Sequence, residues 1–95
     1  MSTYKLLRVS TGEEIIFTVK DETLTAYIAS KPIALAVVPQ GEQYGLQLFP
    51  YSPANPEGDQ VIFKDKIVSE SVEPPEGLIR AYIQRTTGIE IAQAF

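Results

Sequence analysis

The chain has no cysteine and no histidine among its 95 residues. Without cysteine there is no disulfide, no thiolate metal site and no cysteine nucleophile. Without histidine there is no Ser-His-Asp triad and no imidazole zinc site. A non-enzymatic role is therefore expected, with no cofactor and no metal. Long apolar runs are missing too. The longest, Ile33 to Val38, falls far below the roughly 20 residues that a bilayer-spanning helix needs, and MSTYKLLRVS has no apolar signal-peptide core. These absences make a cytoplasmic protein with no membrane partner the expectation. Positive charge is scarce: eight Lys and Arg stand against twelve Asp and Glu, for a net charge of −4. The imbalance lies beyond residue 38, where four basic side chains meet eight acidic ones. A polyanion meets overall repulsion, so any nucleic-acid binding would rest on a local basic rim or on base stacking.

What is present reads as one mostly-β domain over residues 1–95. The stretch Tyr4 to Lys20 carries two apolar, β-branched runs around Thr11-Gly12-Glu13, which predicts a hairpin with Gly12 at positive φ. Ile15, Phe17 and Val19 share one face at period two, Ile16 and Thr18 the other. After the polar Asp21-Glu22-Thr23, Leu24 to Ser30 alternates as a third strand. Lys31-Pro32 breaks the ladder, because proline has no N–H to donate, and Ile33 to Val38 resumes it. That run is apolar on both faces and needs cover on both, which a partner subunit could give as readily as a helix of the same chain.

Pro39 to Gln43 predicts a turn and Tyr44 to Phe49 a strand pairing back onto Ile33 to Val38. Pro50 to Gln60, with three prolines and a glycine, predicts a long surface loop. Val61-Ile62-Phe63 then forms a short strand, Lys64-Asp65-Lys66 a corner, and Ile67 to Val72 a last strand with Val68, Glu70 and Val72 on one face. Pro74-Pro75-Glu76 opens a helix over about 75–87, with Leu78, Ile79, Tyr82 and Ile83 as its apolar stripe and Gly88 as its stop. The tail 88–95 adds an edge strand or packs on a neighbour.

Candidate chemistry is sparse. Glu13-Glu14 and Asp21-Glu22 lie at opposite ends of one strand, too far apart for a glycosidase carboxylate pair, and read as solvated turn acids. Asp59, Asp65 and Glu70 could approach one another, but carboxylates without histidine or a phosphate-cradling loop make no metal centre. Tyr44, Phe49 and Tyr51 gather around one strand, where aromatics close a core or stack on bases. Lys64 and Lys66 flank Asp65 in a corner where two cations could hold a phosphate.

The layout, a five-stranded bent sheet over about residues 4–73 with a sharp corner near residue 64, resembles the Sm-like (LSm, Hfq-type) family. It is most like the small members attributed to marine cyanophage sequences. Val9, Gly12, Ile15 and Val19 fit the family's first motif, apolar-x-x-Gly followed by spaced apolar residues, with Phe17 where glycine is common. The family's Asp-x-apolar-Asn would fall on Glu22-Thr23-Leu24-Thr25. Its second motif looks like Ile62-Phe63-Lys64-Asp65-Lys66-Ile67, with Asp65 where the Hfq branch has histidine. A helix follows the last strand here, whereas the family places one before the first.

The resemblance implies a small Sm-like (SH3-like) barrel that assembles edge to edge into a homo-oligomeric ring, from pentamer to heptamer. It also implies single-stranded RNA as a ligand in phage or host RNA metabolism, and the host cytoplasm as location if the protein is phage-encoded. By that resemblance Leu24 or Tyr27 stacks on a base, Thr25 reads a base edge, and Lys64 with Lys66 holds a phosphate. The charge balance favours a competing expectation: an oligomeric scaffold that docks protein partners through the 50–60 loop or the C-terminal helix and never meets nucleic acid.

Overall fold

The computed structural model describes residues 2–87. Six strands and one helix follow in chain order: β1 (Tyr4–Val9), β2 (Glu14–Glu22), β3 (Ala26–Gln40), β4 (Gln43–Pro50), β5 (Gln60–Phe63), β6 (Ile67–Glu70) and α1 (Glu76–Thr87). All strand pairs are antiparallel, in the order β4-β3-β2-β1-β6, with β5 also against β3. Because a single 3₁₀ turn, Lys64–Lys66, joins β5 to β6, the path β1, β2, β3, β5, β6 returns to β1. The result is a strongly bent antiparallel sheet. No helix among the described residues is long and apolar enough to cross a membrane.

The first hairpin forms as its alternation requires. Gly12 turns the chain at φ +99°, a conformation open to glycine without steric cost. Ile15 and Phe17 go inward with Leu7, Val9, Tyr27, Ala29, Ala34 and Ile62. Ile16 points to the opposite face with Leu6 and Ile33. That second face is covered by α1, through Leu78, Ile79, Tyr82 and Ile83. Only the first half of the double-sided run finds its cover within the same chain: Ile33 and Leu35 lie under the helix and Ala34 in the inner core, while Val37 stays exposed.

Lys31-Pro32 does not end a strand. β3 runs through it, and the ladder with β2 absorbs one extra residue there: Ile16 faces Ile33 while Thr18 faces Ser30. Lys31 takes φ +48° at this bulge, which bends β3. Conversely, the proline-rich loop divides what would be one long strand into β4 and β5, both along the same edge of β3. The last strand is shorter than its alternation predicts, ending at Glu70, so that Val72 stands fully in solvent. The helix starts at Glu76, where the Pro75 carbonyl accepts from the amides of Leu78 and Ile79. The expected stop at Gly88 and the tail 88–95 lie outside the described residues.

Candidate nucleotide cleft at the bend

The bend brings the turn before β3 against the corner after β5. Thr23 organises the turn: its hydroxyl oxygen accepts from the Ala26 amide at 3.0 Å and its own amide donates to the Ala26 carbonyl at 2.8 Å. This local closure, a favoured use of a threonine hydroxyl, leaves Leu24 and Thr25 facing outward. The Lys64 amide then donates to the Thr25 carbonyl at 2.8 Å, stitching the corner to the turn. Between them lies a cleft of about 270 Å³ lined by Leu24, Thr25, Phe63, Lys64 and Asp65. Its two apolar walls are open to water, Leu24 96% exposed and Phe63 56%. Its polar groups are one hydroxyl, one carboxylate and one ammonium.

Three of the five residues singled out by resemblance, Leu24, Thr25 and Lys64, meet in this cleft. Tyr27 does not line it. The tyrosine is buried, its ring 5.8 Å from that of Phe17, with Lys64 Nζ 4.9 Å and Lys5 Nζ 5.7 Å from its centroid. It supports the cleft from below and offers no face to a base. Lys66 lines a neighbouring cleft of about 400 Å³ with Ser10, Thr11, Tyr51, Val61 and Phe63, so the two lysines flank different hollows that share the Phe63 wall. Phe63 was the residue that alternation alone could have found: in Val61-Ile62-Phe63 only one face can be buried, and Ile62 takes it.

Electrostatically the site is nearly neutral. Lys64 Nζ lies 2.7 Å from Glu22 Oε2, and Lys5 Nζ 2.9 Å from Glu70 Oε2. Tyr27 donates its hydroxyl proton to Glu70 Oε1 at 3.1 Å. The hydrogen bond to Glu70 raises the Lys5 pKa above its ordinary value. Burial, then the charge of Glu70, raises that of Tyr27. Neither carboxylate partner was evident from sequence, because Glu22 and Glu70 lie 42 and 43 positions from Lys64 and Tyr27 respectively. Asp59 binds Lys20 at 2.6 Å instead of approaching Asp65 and Glu70. No group of three His, Cys, Asp or Glu that could hold a metal occurs among the described residues.

No protein-family model matches this chain, and no curated protein is significantly similar to it. What the site can do must therefore be argued from its geometry. The cleft offers two exposed apolar walls, Leu24 and Phe63, with the Thr25 hydroxyl and the Asp65 carboxylate between them.

Proposed function

We propose that the protein is a non-enzymatic Sm-like subunit that assembles head to tail into a homo-oligomeric ring and holds single-stranded RNA, one unstacked base per cleft. The observation that carries this reading is the convergence of Leu24, Thr25 and Lys64 with Phe63 at the bend. Assembly is supported by the sheet edges: among the described residues β5 pairs only with β3 and β6 only with β1. Val61 on β5 and Val68 on β6 are exposed large apolar side chains. Pairing β5 of one copy with β6 of the next covers them, and a contact between unlike edges closes into a ring of about five to seven copies. The SH3-like barrel, its phage origin and its place in the cytoplasm of a host belong to the same reading.

A second reading has its own observation. Because Lys64 and Lys5 are each already paired with a carboxylate, the rim offers little uncompensated positive charge, and the ring then serves as a protein scaffold. Fluorescence anisotropy of labelled oligo-U and oligo-A at low salt separates the two. The RNA reading expects salt-sensitive binding that Lys64→Ala/Lys66→Ala loses; no binding at micromolar protein sinks it. Sedimentation tests the ring independently, with Val68→Lys expected to disperse it.

A further inference from the structure

β4 is an outer strand of the sheet: β3 pairs one of its edges, and no strand among the described residues pairs the other. It has few of the features that normally blunt such an edge. Natural edge strands are short, carry charged side chains or proline, or are bulged so that foreign strands cannot add to them, and in β4 the only such device is Pro50 at its last position. β4 spans eight residues, Gln43–Pro50, contains no charged side chain, and keeps an unshifted register with β3 along its whole length.

Its apolar face is also unfinished. The register sets Leu48 opposite Leu35, Leu46 opposite Val37 and Tyr44 opposite Pro39. The first of these pairs is packed under α1. Beyond it Val37, Tyr44 and Leu46 stand 68%, 76% and 51% exposed. The core beneath the helix therefore continues onto an open hairpin.

Charge identifies the occupant. In a pairing about a two-fold axis each side chain meets its own copy or a near neighbour, so a charged strand would face like charges. The other free edges are less suited to this: β6 carries Glu70 and follows Lys66, and β5 runs between Asp59 and Lys64, each over only four residues, whereas the one charge flanking β4, Glu42, falls opposite Pro50 when Leu46 faces Leu46. In a chain of net charge −4, β4 is the neutral edge where a second copy approaches without repulsion.

We propose that β4 pairs antiparallel with β4 of a second copy, joining two sheets into one and covering Val37, Tyr44 and Leu46. With Leu46 opposite Leu46 of the copy, Tyr44 meets Leu48 and the apolar faces coincide. This contact is distinct from the β5–β6 contact and does not need it: with both, two rings join; with this one alone, the protein is a dimer.

The test is sedimentation of the full chain beside Leu46→Lys and Val68→Lys, with circular dichroism to verify the fold. The expected result is an even number of chains per particle, halved by Leu46→Lys, while Val68→Lys leaves a dimer. Because the chain has no cysteine, Leu46→Cys gives an independent readout. On mild oxidation it should yield a disulfide-linked dimer, and Glu57→Cys in the 51–59 loop should not. An unchanged mass in Leu46→Lys, or no crosslink from Leu46→Cys, overturns the proposal. So does a monomeric full chain that associates only in a variant ending at Thr87, which would mean that residues 88–95 occupy the edge.

Discussion

The Tyr82 hydroxyl oxygen lies 3.0 Å from the Thr18 amide nitrogen, 64 residues away in sequence, and accepts its proton. It donates in turn to the Ser30 carbonyl at 2.9 Å, with the Lys31 carbonyl at 3.1 Å and Thr18 Oγ1 at 3.0 Å. These groups border the bulge at Lys31, where the extra residue disrupts the ladder. One helix side chain thus supplies the hydrogen bonds that the bend of β3 removes, and the same ring packs edge-on against Tyr4 at 5.9 Å.

Tyr82→Phe keeps the ring and deletes the hydroxyl. Leaving buried backbone groups without a partner costs about 1–3 kcal/mol. Urea unfolding is expected to show that loss as a lower midpoint at unchanged slope. A midpoint equal to the parent's would mean that water replaces the hydroxyl at no cost.

Alkaline pH should act through the same residue. Burial raises the Tyr82 pKa above the ordinary value of 10.0. Between the unfolded and folded values the unfolded chain has lost the proton and the native state keeps it, so stability falls as pH rises. The raised Tyr27 and Lys5 act in the same direction. Thermal melts between about pH 8 and pH 11.5 are expected to be flat up to roughly pH 10 and to fall above it. Tyr82→Phe should flatten that fall; parallel profiles would exclude Tyr82 as a source.

Removing the helix tests the second core. A variant ending at Pro75 uncovers Leu6, Ile16 and Ile33, which are at most 5% exposed in the native chain. It is expected to bind a hydrophobic dye and to aggregate. A soluble, dye-silent variant with native β-sheet circular dichroism would show that the helix is dispensable.

Glu22→Gln should release Lys64 from its carboxylate partner 2.7 Å away. In the RNA reading the freed ammonium gains a phosphate, tightening oligo-U binding by about threefold to tenfold at low salt and steepening the salt slope by up to about 1. In the scaffold reading the substitution changes nothing. Weaker binding would argue that Glu22 itself contacts the ligand.

Much of the sheet could be read from local pattern. Alternation put Phe17 and Ile16 on opposite faces, and Gly12 at positive φ, because side-chain direction in a strand has a period of two whatever lies elsewhere in the chain. The ladder breaks at Lys31-Pro32 as expected, but the strand does not end there, since a bulge leaves proline's missing donor outside the ladder and Tyr82 mends the neighbouring bonds. Of the candidate cleft, the turn carrying Leu24 and Thr25 and the corner carrying Lys64 were legible, but not that the three line one hollow. The burial of Tyr27 was not legible, because its inward direction depends on which face of β3 meets Phe17.

By itself the sequence determined that this is a β-rich chain without thiol or imidazole chemistry, with hairpins at fixed places and one amphipathic helix, because composition and periodicity are local properties. Only the tertiary structure decided that the helix covers the second face of the sheet, that Lys64 and Lys5 are already paired, and that no strand among the described residues pairs the outer edge of β4. Each of these depends on which distant segments the bend of β3 brings within a few ångströms, and no spacing along the chain encodes that distance.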